Sequence, residues 1–200
     1  MARRRGRPQD AFGKRARREG FPARSVYKLE EIDRRVRLFR PGQRVLDLGA
    51  APGSWTLYAA GRVGAGGCVL GIDLAESRGA LPPNAEIRVG DVRALRSDEL
   101  GDAPFDVVIS DMAPATTGQK HLDRYRSYEL ALCALDVAEQ VLRPGGSFVA
   151  KIFQSGDFPA AKKRVVQAFD EVRIIRPKAT RSESTEVFLV GLGRRAPAGG

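Results

Sequence analysis

Short apolar segments recur along residues 44–190, and helical patterns separate most of them. Uninterrupted apolar strands alternating with helices are typical of a parallel sheet that is covered on both faces. Such a sheet binds ligands beyond the carboxyl ends of its strands. The pattern predicts strands at residues 44–48, 67–72, 87–89, 105–109, 146–150, 171–175 and 186–190. It predicts helices at residues 24–38, 53–60, 124–142 and 158–169.

The last two predicted strands follow each other without a helix between them. This order indicates that one antiparallel strand closes the sheet. An α/β fold with seven strands, mostly parallel, and helices on both faces is similar to the class I, S-adenosylmethionine-dependent methyltransferase variant of the Rossmann-like fold. We expect this domain to span residues 21–193, between a basic, disordered arm at residues 1–20 and a flexible tail at residues 194–200.

The charge of the chain points to a polyanionic partner. The formal net charge is +10, and residues 1–24 hold nine basic and two acidic side chains, so that this stretch alone carries +7. Three interpretations of the arm are open: a solvated tail, a segment that binds RNA phosphates, or an Arg-rich transit peptide. No run of eighteen apolar residues exists, and the two cysteines lack metal-ligand spacing, so we expect no membrane span and no metal. A cytoplasmic monomer is the expected form.

A glycine-rich turn follows the first predicted strand, from Asp47 to Trp55. Gly49 and Gly53 would let the backbone approach a ligand closely. The turn is not the Gly-x-Gly-x-x-Gly of dinucleotide-binding folds, and Asp47 would repel a pyrophosphate. A carboxylate suits the ammonium of S-adenosylmethionine, which has no phosphate. An ordinary strand-to-helix turn is the alternative.

Acidic residues also end the second and third strands. Asp73 is placed to accept hydrogen bonds from both ribose hydroxyls of a nucleoside, and Asp91 to meet an adenine amino group. Asp111 and Lys151 end the fourth and fifth strands and should share one rim beside the cofactor. A lysine at the end of a buried strand is uncommon without a partner or a chemical role, although pairing with Asp111 alone would satisfy it.

Several segments together resemble the FtsJ family of ribosomal RNA ribose 2′-O-methyltransferases, in order and at the family's spacing over residues 21–193. The resemblance lies in the segments 24–32, 47–55, 110–114, 144–151 and 181–187. Two small departures are Ser54, where the family often has a second glycine, and Ala150, where a valine is common.

The resemblance implies a catalytic tetrad of Lys28, Asp111, Lys151 and Glu186, with Lys151 as the proton acceptor. It implies cofactor contacts at Gly53, Trp55, Asp73, Asp91 and Asp111. A lysine accepts a proton only in its neutral form, which burial and a nearby cation such as Lys28 favour. Glu183 rivals Glu186 by composition but lacks the strand context.

The resemblance also implies the substrate: a uridine ribose in the A-loop of 23S rRNA, on the large ribosomal subunit. A transfer RNA ribose methyltransferase is an alternative in the same class. A non-catalytic RNA-binding factor for ribosome assembly is an alternative from a different functional class. Residues 112–127 form a predicted loop long enough to act as a substrate lid, or else a passive surface loop.

Overall fold

The computed structural model describes residues 8–77, 79–101, 103–115 and 117–196. Five α-helices within these residues are α1 (Pro8–Arg18), α2 (Val26–Val36), α3 (Ser54–Val63), α4 (Lys120–Val141) and α5 (Phe158–Ala168). The strands are β1 (Arg44–Leu48), β2 (Cys68–Asp73), β3 (Ala85–Val89), β4 (Phe105–Ser110), β5 (Leu142–Phe153), β6 (Phe169–Ile175) and β7 (Glu186–Arg194).

The seven strands form one sheet in the order β3-β2-β1-β4-β5-β7-β6. The pairs from β3 to β5 are parallel, and β7 lies antiparallel between β5 and β6. This confirms the predicted sheet with its single antiparallel strand. Because β4 lies next to β1, the strand order reverses there, which is where α/β folds bind ligands.

The strand residues alternate between two cores, one on each face of the sheet. Leu46 and Leu48 of β1 pack in the core that α4 and α5 cover. Val45 packs in the other core, with Leu29 of α2 and Ala59 of α3. The prediction of helices on both faces is therefore confirmed.

The start of the chain differs from the predicted disordered arm. Pro8–Arg18 is helical, and Ala16 is buried against Val26, Tyr27 and Ala179. The Tyr27 hydroxyl donates to Glu19 at 2.9 Å, and the Arg15 guanidinium lies 4.3 Å from the Tyr27 ring centroid. The helix forms because Phe12 and Ala16, four residues apart, give it an apolar side that packs on α2. Residues 1–7 of the predicted arm and residues 197–200 of the predicted tail lie outside the described residues.

The connections between strands depart from a strict alternation of strands and α-helices. Between β3 and β4 the described chain forms two short 3₁₀ helices, Val92–Ala94 and Ser97–Leu100, in place of an α-helix. Helix α4 begins at Lys120, before the predicted start, because Thr117 and Asp123 bond across its first turn. Among the helices of the described residues, not one combines the length and apolar character that crossing a membrane requires.

Candidate active site

A cavity of about 400 Å³ opens at the carboxyl ends of β1, β2 and β4. Asp73, Asp91 and Asp111 line it, and Arg93 is the basic residue among its lining side chains. Apolar groups complete its walls, among them Leu74 and Met112. This mixture of carboxylates and apolar walls suits a nucleoside that carries a positive charge better than it suits a phosphate.

The turn after β1 is fitted closely to the segment after β4. Gly49 has φ +79°, and a Cβ there would lie 2.6 Å from Met112 Cγ and 3.1 Å from the Met112 backbone. Glycine is therefore required both by the backbone conformation and by the space. Gly49 lines the cavity, and its close approach to a ligand stays a prediction.

Asp73 holds the same turn from the end of β2. Its Oδ2 accepts from the Ala51 N–H at 2.9 Å, and its Oδ1 accepts from the Ala75 N–H at 2.8 Å. A carboxylate offers about four acceptor positions, so lone pairs remain for ligand hydroxyls. Asp91 lines the cavity as well, and its Oδ1 accepts from the Arg93 N–H at 2.9 Å. Both carboxylates therefore line the cavity, and their contacts with a nucleoside stay a prediction.

Three predicted cofactor residues do not line this cavity: Asp47, Gly53 and Trp55. Gly53 directly precedes α3, and its φ of +101° lets the chain turn into that helix. The Trp55 indole is buried, donates to the Ser25 carbonyl at 3.0 Å and packs 5.7 Å from the Phe188 ring centroid. Trp55 thus joins α3 to the start of α2 and to β7, and its contact with a cofactor stays a prediction.

Asp47 is fully buried beneath α3. Its Oδ2 accepts from the Thr56 hydroxyl at 2.7 Å, while Oδ1 has no hydrogen-bond partner within the described part of the chain. Burial, and to a lesser extent the nearby carboxylates of Asp111 and Asp73, together raise the pKa of this carboxyl to about 7, against the lowering effect of the Thr56 hydrogen bond. Asp47 therefore holds a proton well above the pH at which an exposed aspartate releases it.

Asp47→Asn is expected to remove a pH dependence from stability. In the wild type the unfolded Asp47 ionises from about pH 4, whereas the folded side chain stays protonated to about pH 7. The folded state binds the extra proton, so stability falls as pH rises through this window. Urea unfolding at several pH values would measure the free energy of unfolding of both proteins. Between pH 4 and 7 this free energy should rise in the variant, relative to the wild type, by up to about 4 kcal/mol. A difference that is constant with pH would rule this out.

The four side chains of the predicted tetrad form two buried ion pairs. Lys151 Nζ lies 2.9 Å from Asp111 Oδ1 and donates to the Asp111 carbonyl oxygen at 2.6 Å. Lys28 Nζ lies 2.6 Å from Glu186 Oε1. The four side chains are between 6% and 18% exposed, so each pair is largely shielded from bulk water.

Strand register places both pairs on the same face of the sheet. Lys151 lies opposite Phe188 across β5 and β7, and Glu186 precedes Phe188 by two residues on the same side of β7. Lys28 reaches this face from α2, with its Nζ 5.9 Å from the Phe188 ring centroid. Asp111 belongs to both features: it lines the cavity and pairs with Lys151. Lys151 therefore stands at the edge of the cavity.

Of the two candidate glutamates, the structure buries one. Glu186 is 7% exposed and pairs with Lys28, whereas Glu183 is exposed and accepts from the Ser182 hydroxyl at 2.9 Å. Thr180, which was not predicted as a site residue, donates from its hydroxyl to Glu186 Oε1 at 3.3 Å. No sequence signal distinguishes Thr180, because its contact depends on how the segment between β6 and β7 folds back.

The chemistry of the donor groups fits S-adenosylmethionine. The cavity combines carboxylates, which can accept from hydroxyl and amino groups, with apolar walls that suit a flat base. Because Gly49 has no side chain, the backbone of its turn forms part of the cavity wall. Within the described ranges, no group of three or more histidine, cysteine, aspartate or glutamate side chains could hold a metal ion. Cys68 and Cys133 are free thiols.

Comparison with known proteins identifies the family. The family model described as FtsJ-like methyltransferase matches residues 21–194. A protein of Sorangium cellulosum named ribosomal RNA large subunit methyltransferase E is 58% identical over 188 residues, covering 94% of this chain and 89% of that protein. A protein of the same name from Nitratidesulfovibrio vulgaris is 50% identical over 191 residues, covering 94% of each.

A solved structure supports the fold independently of these sequences. A chain from Plasmodium falciparum superposes with a TM-score of 0.78 at 24% identity, covering 88% of this chain and all of that one. At this level of identity the likeness shows the fold alone. The match of the family model over nearly the whole domain, together with the two relatives, shows that this chain belongs to the FtsJ-like methyltransferase family.

Proposed function

We propose that this protein methylates a ribose 2′-hydroxyl of large-subunit ribosomal RNA, with S-adenosylmethionine as the methyl donor. The observation that carries the proposal is the position of the Lys151–Asp111 ion pair at the edge of the carboxylate-lined cavity. A poised amine next to a nucleoside-sized cavity is what activation of a hydroxyl toward a bound methyl donor requires.

Residues of the cavity would hold the cofactor. Asp73 would accept hydrogen bonds from the ribose hydroxyls of the cofactor, and Asp91 from its adenine amino group. Gly49 would let the backbone of the turn lie close to the cofactor. Asp47 supports the turn from below, and Gly53 and Trp55 fix its exit into α3. S-adenosylmethionine supplies an activated methyl group when it is bound.

Lys151 is the proton acceptor in this proposal. Its Nζ already donates to the main-chain oxygen of Asp111 and lies 2.9 Å from the Asp111 carboxylate, which fixes its direction. In its neutral form the amine has a lone pair for the proton of the ribose hydroxyl, and the oxygen then gains the methyl group as it loses that proton. Asp111 thus positions Lys151, and the proton passes from O2′ to Nζ and on to water.

Lys28 and Glu186 form the second part of the site. Their ion pair lies beside Phe188, which is the residue directly opposite Lys151. The Lys28 ammonium there offers a hydrogen-bond donor for the ribose oxygen. Glu186 holds Lys28 in this place, since loss of the carboxylate would leave the ammonium without its partner.

The substrate assignment rests on the relatives. Two of them carry the name ribosomal RNA large subunit methyltransferase E, and the chain covers about nine tenths or more of each. We therefore propose large-subunit rRNA as the partner and a uridine in the A-loop of 23S rRNA as the target, in a monomeric, cytoplasmic enzyme. A transfer RNA ribose and a non-catalytic assembly role remain the competing functions.

Transfer of tritiated methyl groups to several RNAs distinguishes these functions. The purified protein would be incubated with large ribosomal subunits, naked ribosomal RNA and transfer RNA that lack the modification, and incorporated label would be counted. We expect label in large-subunit RNA. Label only in transfer RNA would support the first competing function, and cofactor binding without label in any RNA would support the second.

A further inference from the structure

A second cavity, of about 740 Å³, lies beside the Lys28–Glu186 pair and has no part in the chemistry above. Its walls come from α1, from the residues before α2 and from the segment 176–183 between β6 and β7. Its charged lining is mostly basic, with Glu183 as the acidic member; the basic members are Arg24, Arg176, Lys178 and Arg181. This composition favours an anionic ligand.

The wall formed by the segment 176–183 is held in shape by its own bonds. The Arg176 guanidinium donates to the carbonyl oxygens of Arg181 and Ser182 at 3.4 and 3.2 Å. The Lys178 N–H donates to Glu31 Oε2 of α2 at 2.7 Å. These contacts order an exposed basic segment before any ligand binds, which lowers the entropic cost of binding.

Two of the basic side chains form no ion pair with any acidic residue that the structure describes. Lys178 and Arg181 are exposed, and neither forms an ion pair within the residues that the structure describes. Elsewhere on the surface, Arg164 pairs with Asp136 and Glu139. Uncompensated cations around a cavity of fixed shape are the arrangement that binds a phosphate.

One residue links the cavity to the predicted tetrad. Thr180 lines the cavity, and its hydroxyl donates to Glu186, the partner of Lys28. An RNA strand with its target ribose at Lys151 must continue away from the tetrad. Resting on the proposed function, we propose that this cavity binds a backbone phosphate of the RNA strand next to the target nucleotide, through Lys178 and Arg181.

The test compares two double variants that remove the same charge. Lys178→Ala with Arg181→Ala changes the cavity, whereas Lys162→Ala with Lys163→Ala changes exposed residues of α5, which covers the other face of the sheet. Binding of a fluorescent single-stranded oligoribonucleotide would be measured by anisotropy over a range of salt. We expect the cavity variant to bind roughly 5-fold more weakly at 0.1 M salt and its salt slope to fall by about 0.7, since the loss of one phosphate contact on a single strand removes about 0.7.

Turnover separates this inference from the proposed function. On large subunits the cavity variant should show a raised KM with kcat nearly unchanged, because the tetrad is intact, and the α5 variant should behave as wild type. Equal losses in both double variants, or an unchanged salt slope in the cavity variant, would overturn the inference. If the wild type methylates no RNA at all, the proposed function fails, whereas the comparison of oligonucleotide binding still decides whether the cavity takes a phosphate.

Discussion

Lys151→Met is expected to lower the rate of methyl transfer by about 10²–10⁴-fold, which is the usual contribution of a general base. Methionine keeps the unbranched stem that fills the buried space, so the loss should come from the amine alone. Asp111 loses its ion-pair partner and its Oδ1 is buried, although the side chain as a whole is 18% exposed. Single-turnover rates at saturating RNA and cofactor would measure the effect.

The matched control for this variant is Lys163→Met, an exposed lysine on α5. Its rate should equal that of the wild type. Calorimetric titration should give both variants the wild-type affinity for S-adenosylmethionine, because Lys151 does not line the cofactor cavity. A Lys151→Met protein that turns over near the wild-type rate would remove this residue from the mechanism.

Asp73→Ala is expected to weaken cofactor binding by about 10²–10⁴-fold. Two hydrogen bonds from ribose hydroxyls to a carboxylate contribute about 1.5–3 kcal/mol each, and about 1.4 kcal/mol corresponds to a tenfold change in affinity. The substitution also leaves the Ala51 and Ala75 N–H groups without their acceptor. The turn after β1 thereby loses the hydrogen bond that joins it to the end of β2. Calorimetric titration with S-adenosylmethionine would measure the loss.

Two further variants separate the ligand contact from the support of the turn. Asp73→Asn keeps an acceptor oxygen but loses the charge, and we expect an intermediate affinity. Asp98→Ala removes an exposed carboxylate that pairs with Arg96 outside the cavity, and we expect no change in affinity. If Asp73→Ala keeps its fold by thermal unfolding and binds the cofactor as tightly as the wild type, Asp73 is not a cofactor ligand.

The meeting of Asp111 and Lys151 could be predicted from the sequence because parallel strands end at the same edge of a sheet. Ser110 pairs with Ala150 in register, so the next residue of each strand stands beside the other. The same geometry predicts the positions of Asp73 and Asp91 on the cavity wall. Strand-end placement is thus local information, readable once the strands are identified.

Features that depend on helix docking could not be derived in this way. Lys28 entered only through the family resemblance, because nothing in a basic helical residue reveals that α2 delivers it to Glu186. Helix α1 was missed because its apolar side is narrow and is stabilised by packing on α2 rather than by its own composition. Trp55 and Asp47 lie beneath the turn rather than in the cavity, since their directions are fixed by α3.

Alkaline hydrolysis of RNA that has received a tritiated methyl group tests the central claim most directly. Alkali cleaves RNA by attack of the 2′-hydroxyl on the adjacent phosphate, so a ribose methylated at this oxygen resists cleavage and retains its label in a dinucleotide. A nucleotide methylated on its base is released as a labelled mononucleotide. After reaction with large ribosomal subunits, we predict label in the alkali-resistant dinucleotide for the wild type and almost none for Lys151→Met. Label in mononucleotides would contradict the proposed ribose chemistry.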